Sequence, residues 1–197
     1  MLSLQRFKCT VVGNYGVGKT SLLRKFLNLH TAPVKSTIGI DFFLKTIKIY
    51  DQEVRISLWD TAGAERFHSL TYSYLKDSTV LFIVYDLGDS DCHRQVAYWL
   101  NTIEACEVQP EVVCILGNKN DAHPASSNQP ASLTAVLNLH QGWTTITGTT
   151  TKNDDSFEKY LVQCLTHLIE QKHYKQALKV PKLNIWIQSP PQRTCCT

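Results

Sequence analysis

Eight residues near the start of the chain leave little freedom in what surrounds them. Gly13-Asn14-Tyr15-Gly16-Val17-Gly18-Lys19-Thr20 fits the spacing G-x-x-x-x-G-K-[ST] and directly follows the apolar run from Phe7 to Val12. That run has the length and β-branched content of a buried strand, and Thr20 to Leu29 carries Leu22, Leu23, Phe26 and Leu27 at helical spacing. A strand, a tight glycine turn and a helix in succession gather backbone N–H groups and a helix N-terminus around one point, which is the geometry a chain of phosphates needs. In it Lys19 reaches the outer phosphates and Thr20 holds Mg²⁺ through its hydroxyl. A turn that merely joined a strand to a helix would require neither this spacing nor the Lys-Thr pair.

The remaining pattern surrounds that loop with alternating strands and helices. His30 to Gly39 has no period, contains Pro33 and reads as a loop. Phe42 to Tyr50 and Glu53 to Trp59 alternate apolar and polar residues around Asp51-Gln52, a hairpin signal. After Asp60-Thr61-Ala62-Gly63, a loop and a short helix run to about Lys76. Thr79 to Tyr85 and Val112 to Leu116 are continuous apolar runs of the kind found in parallel strands covered on both faces. Between them, His93 to Cys106 carries Val96, Trp99, Leu100 and Ile103 at helical spacing. A helix from Ser132 to Leu139 and a short strand from Thr144 to Thr147 follow. A long amphipathic helix from Asp155 to about Lys172 turns Phe157, Leu161, Cys164, Leu165 and Leu168 inward.

This order predicts an α/β fold: a six-stranded, mainly parallel sheet with helices on both faces, in which the hairpin supplies one antiparallel edge strand. Ligands bind such sheets beyond the carboxyl ends of the strands, where the glycine loop lies. Residues 1–173 are expected to form one domain, and residues 174–197, which lose the period and gather Pro181, Pro190 and Pro191, a flexible tail.

Charge and cysteines narrow the setting. A net charge of +3, from 20 basic and 17 acidic residues, gives no support for an extended nucleic-acid surface. The opening MLSLQRFKC lacks the pattern of a secretory leader, and the seven cysteines are odd in number. A reduced, cytosol-facing protein is expected, with Cys9, Cys92, Cys106, Cys114 and Cys164 as buried thiols. No stretch approaches the roughly 20 apolar residues of a membrane span.

Two further motifs extend the phosphate loop. Asp60, at a strand end before Thr61-Ala62-Gly63, is placed to hold Mg²⁺ through water while the Gly63 N–H approaches a γ-phosphate. Asn118-Lys119-Asn120-Asp121 follows a buried strand. A carboxylate such as Asp121 can accept hydrogen bonds from the N1–H and exocyclic amine of guanine, and adenine offers no such donor pair. Asn118 and Lys119 would brace the loop and cover the ring.

The set GNYGVGKT, Thr37, DTAG and NKND, in this order and spacing, resembles the small GTPases of the Ras superfamily over roughly residues 5 to 173. Within it the chain resembles the Rab branch. Ile38-Gly39-Ile40-Asp41-Phe42 is similar to the Rab segment after the first switch, and Trp59-Asp60 through Glu65-Arg66-Phe67 to the second. Phe42, Trp59 and Tyr74 match the aromatic triad of the Rab effector surface.

The resemblance implies a P-loop GTPase fold that binds GTP and GDP through Gly13 to Ser21, Thr37, Gly63, Asn118, Lys119 and Asp121. Thr150-Thr151-Lys152 stands where the family contacts the guanine carbonyl. Mg²⁺ would be held by Thr20, Thr37 and Asp60, and Lys19, Thr37, Gly63 and the residue after it would serve hydrolysis. Thr37 would bind Mg²⁺ and the γ-phosphate in the GTP state and be released after hydrolysis, so that two loops order and disorder together. The implied partners are effector proteins, an exchange factor, a GTPase-activating protein, a GDP-dissociation inhibitor and the prenylation machinery.

The sequence departs from the family pattern at two places facing the phosphates. Ala64 stands where the family has a glutamine whose amide orients the attacking water, and a methyl group can do neither half of that hydrogen bonding. Slow intrinsic hydrolysis follows. Tyr15 stands where the family has a small residue; its ring could crowd the γ-phosphate and obstruct an incoming arginine finger, or hydrogen-bond the phosphate. The segment between Leu27 and Thr37 also lacks the aromatic residue that commonly stacks on guanine.

Cys195-Cys196-Thr197, on a proline-containing tail, resembles the double geranylgeranylation signal of Rabs. Two lipids would give stable yet extractable anchoring on the cytoplasmic face of an endomembrane, with a cytosolic pool when extracted. Lys172, Lys175, Lys179 and Lys182 would add weak attraction to anionic lipid or serve only as a solvated surface. The sequence therefore points to a Rab-like switch in vesicle trafficking. The alternative is a GTP-binding module that recruits effectors without a hydrolysis cycle. A P-loop kinase has nothing here that resembles a phosphoacceptor lid.

Overall fold

The two long continuous apolar runs, Thr79 to Tyr85 and Val112 to Leu116, become strands covered on both faces. The computed structural model describes residues 5–29, 36–64, 68–123, 131–138, 143–151 and 155–179. Its strands are β1 (Gln5–Val12), β2 (Ile40–Ile49), β3 (Gln52–Thr61), β4 (Val80–Asp86), β5 (Val112–Asn118) and β6 (Thr144–Thr149). Its helices are α1 (Lys19–Phe26), α2 (His68–Leu75), α3 (Cys92–Ala105), α4 (Ala131–Asn138) and α5 (Ser156–Lys179). The strands form one sheet in the order β2-β3-β1-β4-β5-β6. All neighbours are parallel except β2 and β3, which pair antiparallel as a hairpin at one edge. The expected α/β architecture is present.

Alternation along the central strands divides the core in two. On β4, Val80, Phe82 and Val84 face the cluster containing Phe26 of α1 and Phe157, Leu161 and Leu165 of α5. Leu81, Ile83 and Tyr85 face the opposite cluster, built around Val96, Trp99, Leu100 and Ile103 of α3. Because both faces are covered, a strand with no polar alternation is the stable choice. Phe157 joins the layers of the first cluster, with its ring centroid 5.8 Å from that of Phe26 and 5.1 Å from that of Phe82.

Several element ends differ from the sequence expectation, three of them for a clear local reason. The hairpin turns at Tyr50-Asp51, one residue earlier than Asp51-Gln52, because Ile49 pairs with Gln52 and is buried. Tyr50 adopts the left-handed φ of 52° that the tight turn needs, and its hydroxyl donates to Glu170 of α5 at 2.9 Å. Helix α1 stops at Phe26 and not Leu29. Asn28, with φ 58°, ends it: Leu29 N–H bonds the Arg24 carbonyl and Asn28 N–H the Lys25 carbonyl, the paired closure of a Schellman motif. Helix α5 continues to Lys179, so residues 174–179, expected in the tail, are helical. The apolar period fades there, but Lys, Gln, Ala and Leu are strong helix formers.

Cys9, Cys92, Cys114 and Cys164 are buried free thiols, whereas Cys106, expected to be buried, is exposed just past the end of α3. No described helix is long and apolar enough to cross a membrane.

Candidate functional site

β1 delivers the chain to the carboxyl edge of the sheet, and the glycine loop turns it into α1. Gly16 and Gly18 have φ of 78° and 99°, conformations that L side chains rarely adopt. Gly18 caps α1 in the left-handed region with no side-chain cap, and no acidic residue occupies the first turn. The first amide groups of the helix are therefore left to an anion at this end. At Gly18 a Cβ would collide with the Asn118 amide. At Gly63, across the loop, one would collide with the Lys19 ammonium and the Asn14 carbonyl.

Lys19 lies under the loop, with only 5% of its surface exposed. Its Nζ donates to the carbonyls of Gly13 at 2.7 Å and Asn14 at 2.9 Å. Burial brings its pKa down to about 8, and the nearby Asp60 carboxylate opposes that fall. Asp60 has the opposite problem. It is fully buried near the end of β3, and burial raises its carboxyl to about 6 even though the Thr20 hydroxyl and the Lys19 ammonium favour its charge. Both groups are held where ionisation is costly, so an anion above Lys19 and a cation beside Asp60 would each relieve one of them.

The residues around Asp60 suit a hard cation. Thr20 Oγ1 donates to Asp60 Oδ2 at 2.6 Å, and the Thr20 and Thr37 hydroxyls lie 2.9 Å apart. Asp60 Oδ1 is buried without a hydrogen-bond partner among the described residues. Two hydroxyls and a carboxylate with an unengaged oxygen form the all-oxygen set that Mg²⁺ takes, so the residues present fit that ion. A cleft of about 240 Å³ opens beside them, lined by Tyr15, Lys19, Thr20, Ser36, Thr37 and Gly63 among others. Ser21 also lines it, and Ala64 follows Gly63 half-buried.

The second cluster lies at the ends of β5 and β6. Asn118, the last residue of β5, donates from Nδ2 to the Val17 carbonyl at 2.8 Å and accepts from the Thr150 hydroxyl at 3.0 Å. It thus ties the glycine loop to the segment after β6. Thr150 is fully buried in this bracing position, and its backbone carbonyl accepts from Asn120 N–H at 3.2 Å. Thr151 N–H bonds the Ser156 hydroxyl at 3.3 Å at the start of α5. Lys119 has a left-handed φ of 64°, and its ammonium pairs with Asp86 at 2.7 Å. Asp121 is exposed on the same loop.

The surface beside the cleft is apolar and aromatic. Ile38 is 81% exposed and Phe42 47%. Phe42, Trp59 and Tyr74 form a row, with centroids 4.7 Å apart for the first pair and 5.2 Å for the second. Ile40 and Asp41 pair with Thr61 and Asp60 in the β2–β3 ladder, and the Gly39 carbonyl accepts from Ala62 N–H at 2.9 Å. Phe67, Lys152, Cys195 and Cys196, singled out from the sequence, lie outside the described residues.

Three contacts at the site carry residues the sequence reading did not assign to it. Trp99, read as a core residue of α3, donates from Nε1 to Asn14 Oδ1 at 3.1 Å. Asp86 holds Lys119, and the signal for it was available: a carboxylate ending a parallel strand, much as Asp60 stands one residue before the end of β3. Ser36 meets Tyr15, with their hydroxyl oxygens 3.1 Å apart. No spacing rule links Ser36 to the glycine loop.

A glycine loop between a parallel strand and a helix, with a buried lysine beneath it, defines a phosphate-loop α/β protein. The Ras family model matches residues 8–170, and the chain belongs to the Ras family. It is a small GTP-binding protein. Members of that family bind GTP and GDP, use Mg²⁺ with the nucleotide, hydrolyse GTP and engage regulators and effectors.

Proposed function

We propose that this chain is a Rab-like switch whose phosphate site is the cleft around Lys19 and whose hydrolysis is slow. The convergence of Thr20, Thr37 and the half-engaged Asp60 beside a buried Lys19 carries the reading. The loop amides of residues 13–20 and the Lys19 ammonium would take the phosphates. Thr20, Thr37 and Asp60 would hold Mg²⁺, which supplies charge neutralisation between the outer phosphates. Asp121 would accept from guanine, and Lys119, kept in place by Asp86, would flank the ring. Gly63 N–H would meet the γ-phosphate, while Ala64 offers nothing to orient water.

The branch assignment rests on the partly exposed row of Phe42, Trp59 and Tyr74, which supports effector recognition in vesicle trafficking. The cysteine pair at 195 and 196 would carry the lipid anchor. A second reading, a GTP-binding module without a hydrolysis cycle, is favoured by Ala64 together with Tyr15, which lines the cleft. Strong stimulation of turnover by a GTPase-activating protein supports the switch, and no stimulation supports the module. Chromatography of nucleotide released from the purified protein tests the core of the proposal. GTP in excess over GDP is expected; an empty or adenine-loaded protein would overturn it.

A further inference from the structure

Trp99 lies on the face of α3 that packs against the sheet, fully buried in the same cluster as Val12, Ile83 and Val96. An indole N–H is a donor without acceptor capacity, so a buried one needs an oxygen within reach. Here that oxygen is Asn14 Oδ1 at 3.1 Å, in the second residue of the glycine loop. The bond ties a packed helix to a position that belongs to no strand or helix. Asn14 then meets the site through its backbone. Its carbonyl accepts from Lys19 Nζ at 2.9 Å, and a Cβ added to Gly63 would collide with that carbonyl and with the ammonium. One peptide thus lies against both Lys19 and Gly63, the two residues that the nucleotide reading sets against the outer phosphates. The other acceptor of Lys19 is the Gly13 carbonyl, directly after β1, and Gly13 is pressed against the Val84 carbonyl of β4. Gly13 takes its place from the sheet, whereas Asn14 is tied by its side chain to α3.

We propose that Trp99 is a positioning residue of the phosphate site: its indole N–H fixes the Asn14 side chain and, through the Asn14 carbonyl, sets where the Lys19 ammonium stands beneath the outer phosphates. Trp99 acts at one remove, through Asn14 on Lys19. Such support matters for a lysine because its four-carbon stem is flexible and its three donors rotate freely. Two carbonyls at fixed places pre-organise the ammonium, so that less ordering is left to be done when the phosphates arrive. If Asn14 merely satisfied a core donor, losing the bond would lower stability and leave the hold on the phosphates unchanged. This inference rests on the nucleotide reading of the cleft.

The test is binding of mant-GDP and mant-GTP, followed by fluorescence, to full-length wild type, Trp99→Phe, Asn14→Ala and the double variant, each also made together with Lys19→Met. Trp99→Phe keeps a buried aromatic ring and removes the N–H, and Asn14→Ala leaves the core intact. Each single change is expected to weaken both nucleotides about three- to tenfold, the worth of one neutral hydrogen bond. The double variant should lose no more than either single one, because both remove the same bond. With Lys19 replaced, the same changes should alter affinity by less than about twofold, since the group they position is gone. The indole N–H resonance of Trp99, followed by NMR, should move upfield in Asn14→Ala. If Trp99→Phe fails to fold, Asn14→Ala with and without Lys19 decides alone. Unchanged affinity in the single variants, equal losses with and without Lys19, or an unmoved indole resonance would each overturn the positioning role and leave the nucleotide reading standing. Failure of wild type to bind either nucleotide would overturn the nucleotide reading itself, and the positioning role with it.

Discussion

Asp60→Asn removes one charge from a fully buried carboxylate while keeping its shape. Burial raises this carboxyl from an ordinary 3.8 to about 6. The folded protein therefore holds the proton to higher pH than the unfolded chain does. The stability Asp60 contributes is complete below about pH 4 and is lost as pH rises through about 6. With each pH unit worth about 1.4 kcal/mol, its ionisation costs the nucleotide-free fold about 3 kcal/mol at neutral pH. The asparagine avoids that cost but places an amide N–H donor where Oδ1 now lies buried without a partner, which returns about 1–2 kcal/mol. The Thr20 hydroxyl keeps its acceptor. The net expectation is about 1–2 kcal/mol of added stability at pH 7.5, or a Tm higher by about 2–8 °C for a chain of this size. Thermal unfolding of nucleotide-free protein at pH 7.5 and pH 4.5 measures it, and the gain should disappear at the lower pH. Adding Mg²⁺ with GTP should then raise the Tm of wild type more than that of the variant. Equal Tm values for the two proteins at both pH values would refute the reasoning.

Two other substitutions probe the chemistry around the phosphates and the base. Ala64→Gln restores an amide able to orient water and should speed single-turnover GTP hydrolysis roughly a hundredfold; equal rates would show that Ala64 is not the limiting feature. Asp121→Ala should weaken GTP binding by on the order of a hundredfold or more, because it deletes the paired acceptor for guanine. Titration with labelled GTP and ATP reads this directly, and ATP binding should not change.

The alternation of elements, the phosphate loop and the aspartates were legible because each is a local pattern. Gly16 and Gly18 announce backbone that only glycine adopts readily, and the unbroken apolar runs of β4 and β5 announce strands covered on both faces. Element ends were less legible. The stop of α1 depends on Asn28 entering the left-handed region, and the continuation of α5 past residue 173 on propensity without an apolar period. Cys106 was misread because it lies just past α3, where one residue more or less decides burial.

The types and order of the chemical groups were therefore set along the chain: lysine and threonine after a glycine turn, aspartate at a strand end, and a carboxylate loop for the base. Which of them meet, and in what state, belongs to the fold. Asn118 contacts Val17 from 101 residues away because parallel strands return their carboxyl ends to the same edge of the sheet, and Trp99 contacts Asn14 from 85 because α3 packs on one face of that sheet. Sequence spacing carries no record of that return. Burial, also a property of the assembled fold, moves Lys19 down and Asp60 up, because the surrounding layers withdraw the water that would stabilise their charges. The Tyr15–Ser36 contact is of the same kind: two unremarkable hydroxyls 21 residues apart along the chain, brought within 3.1 Å of each other only in the fold.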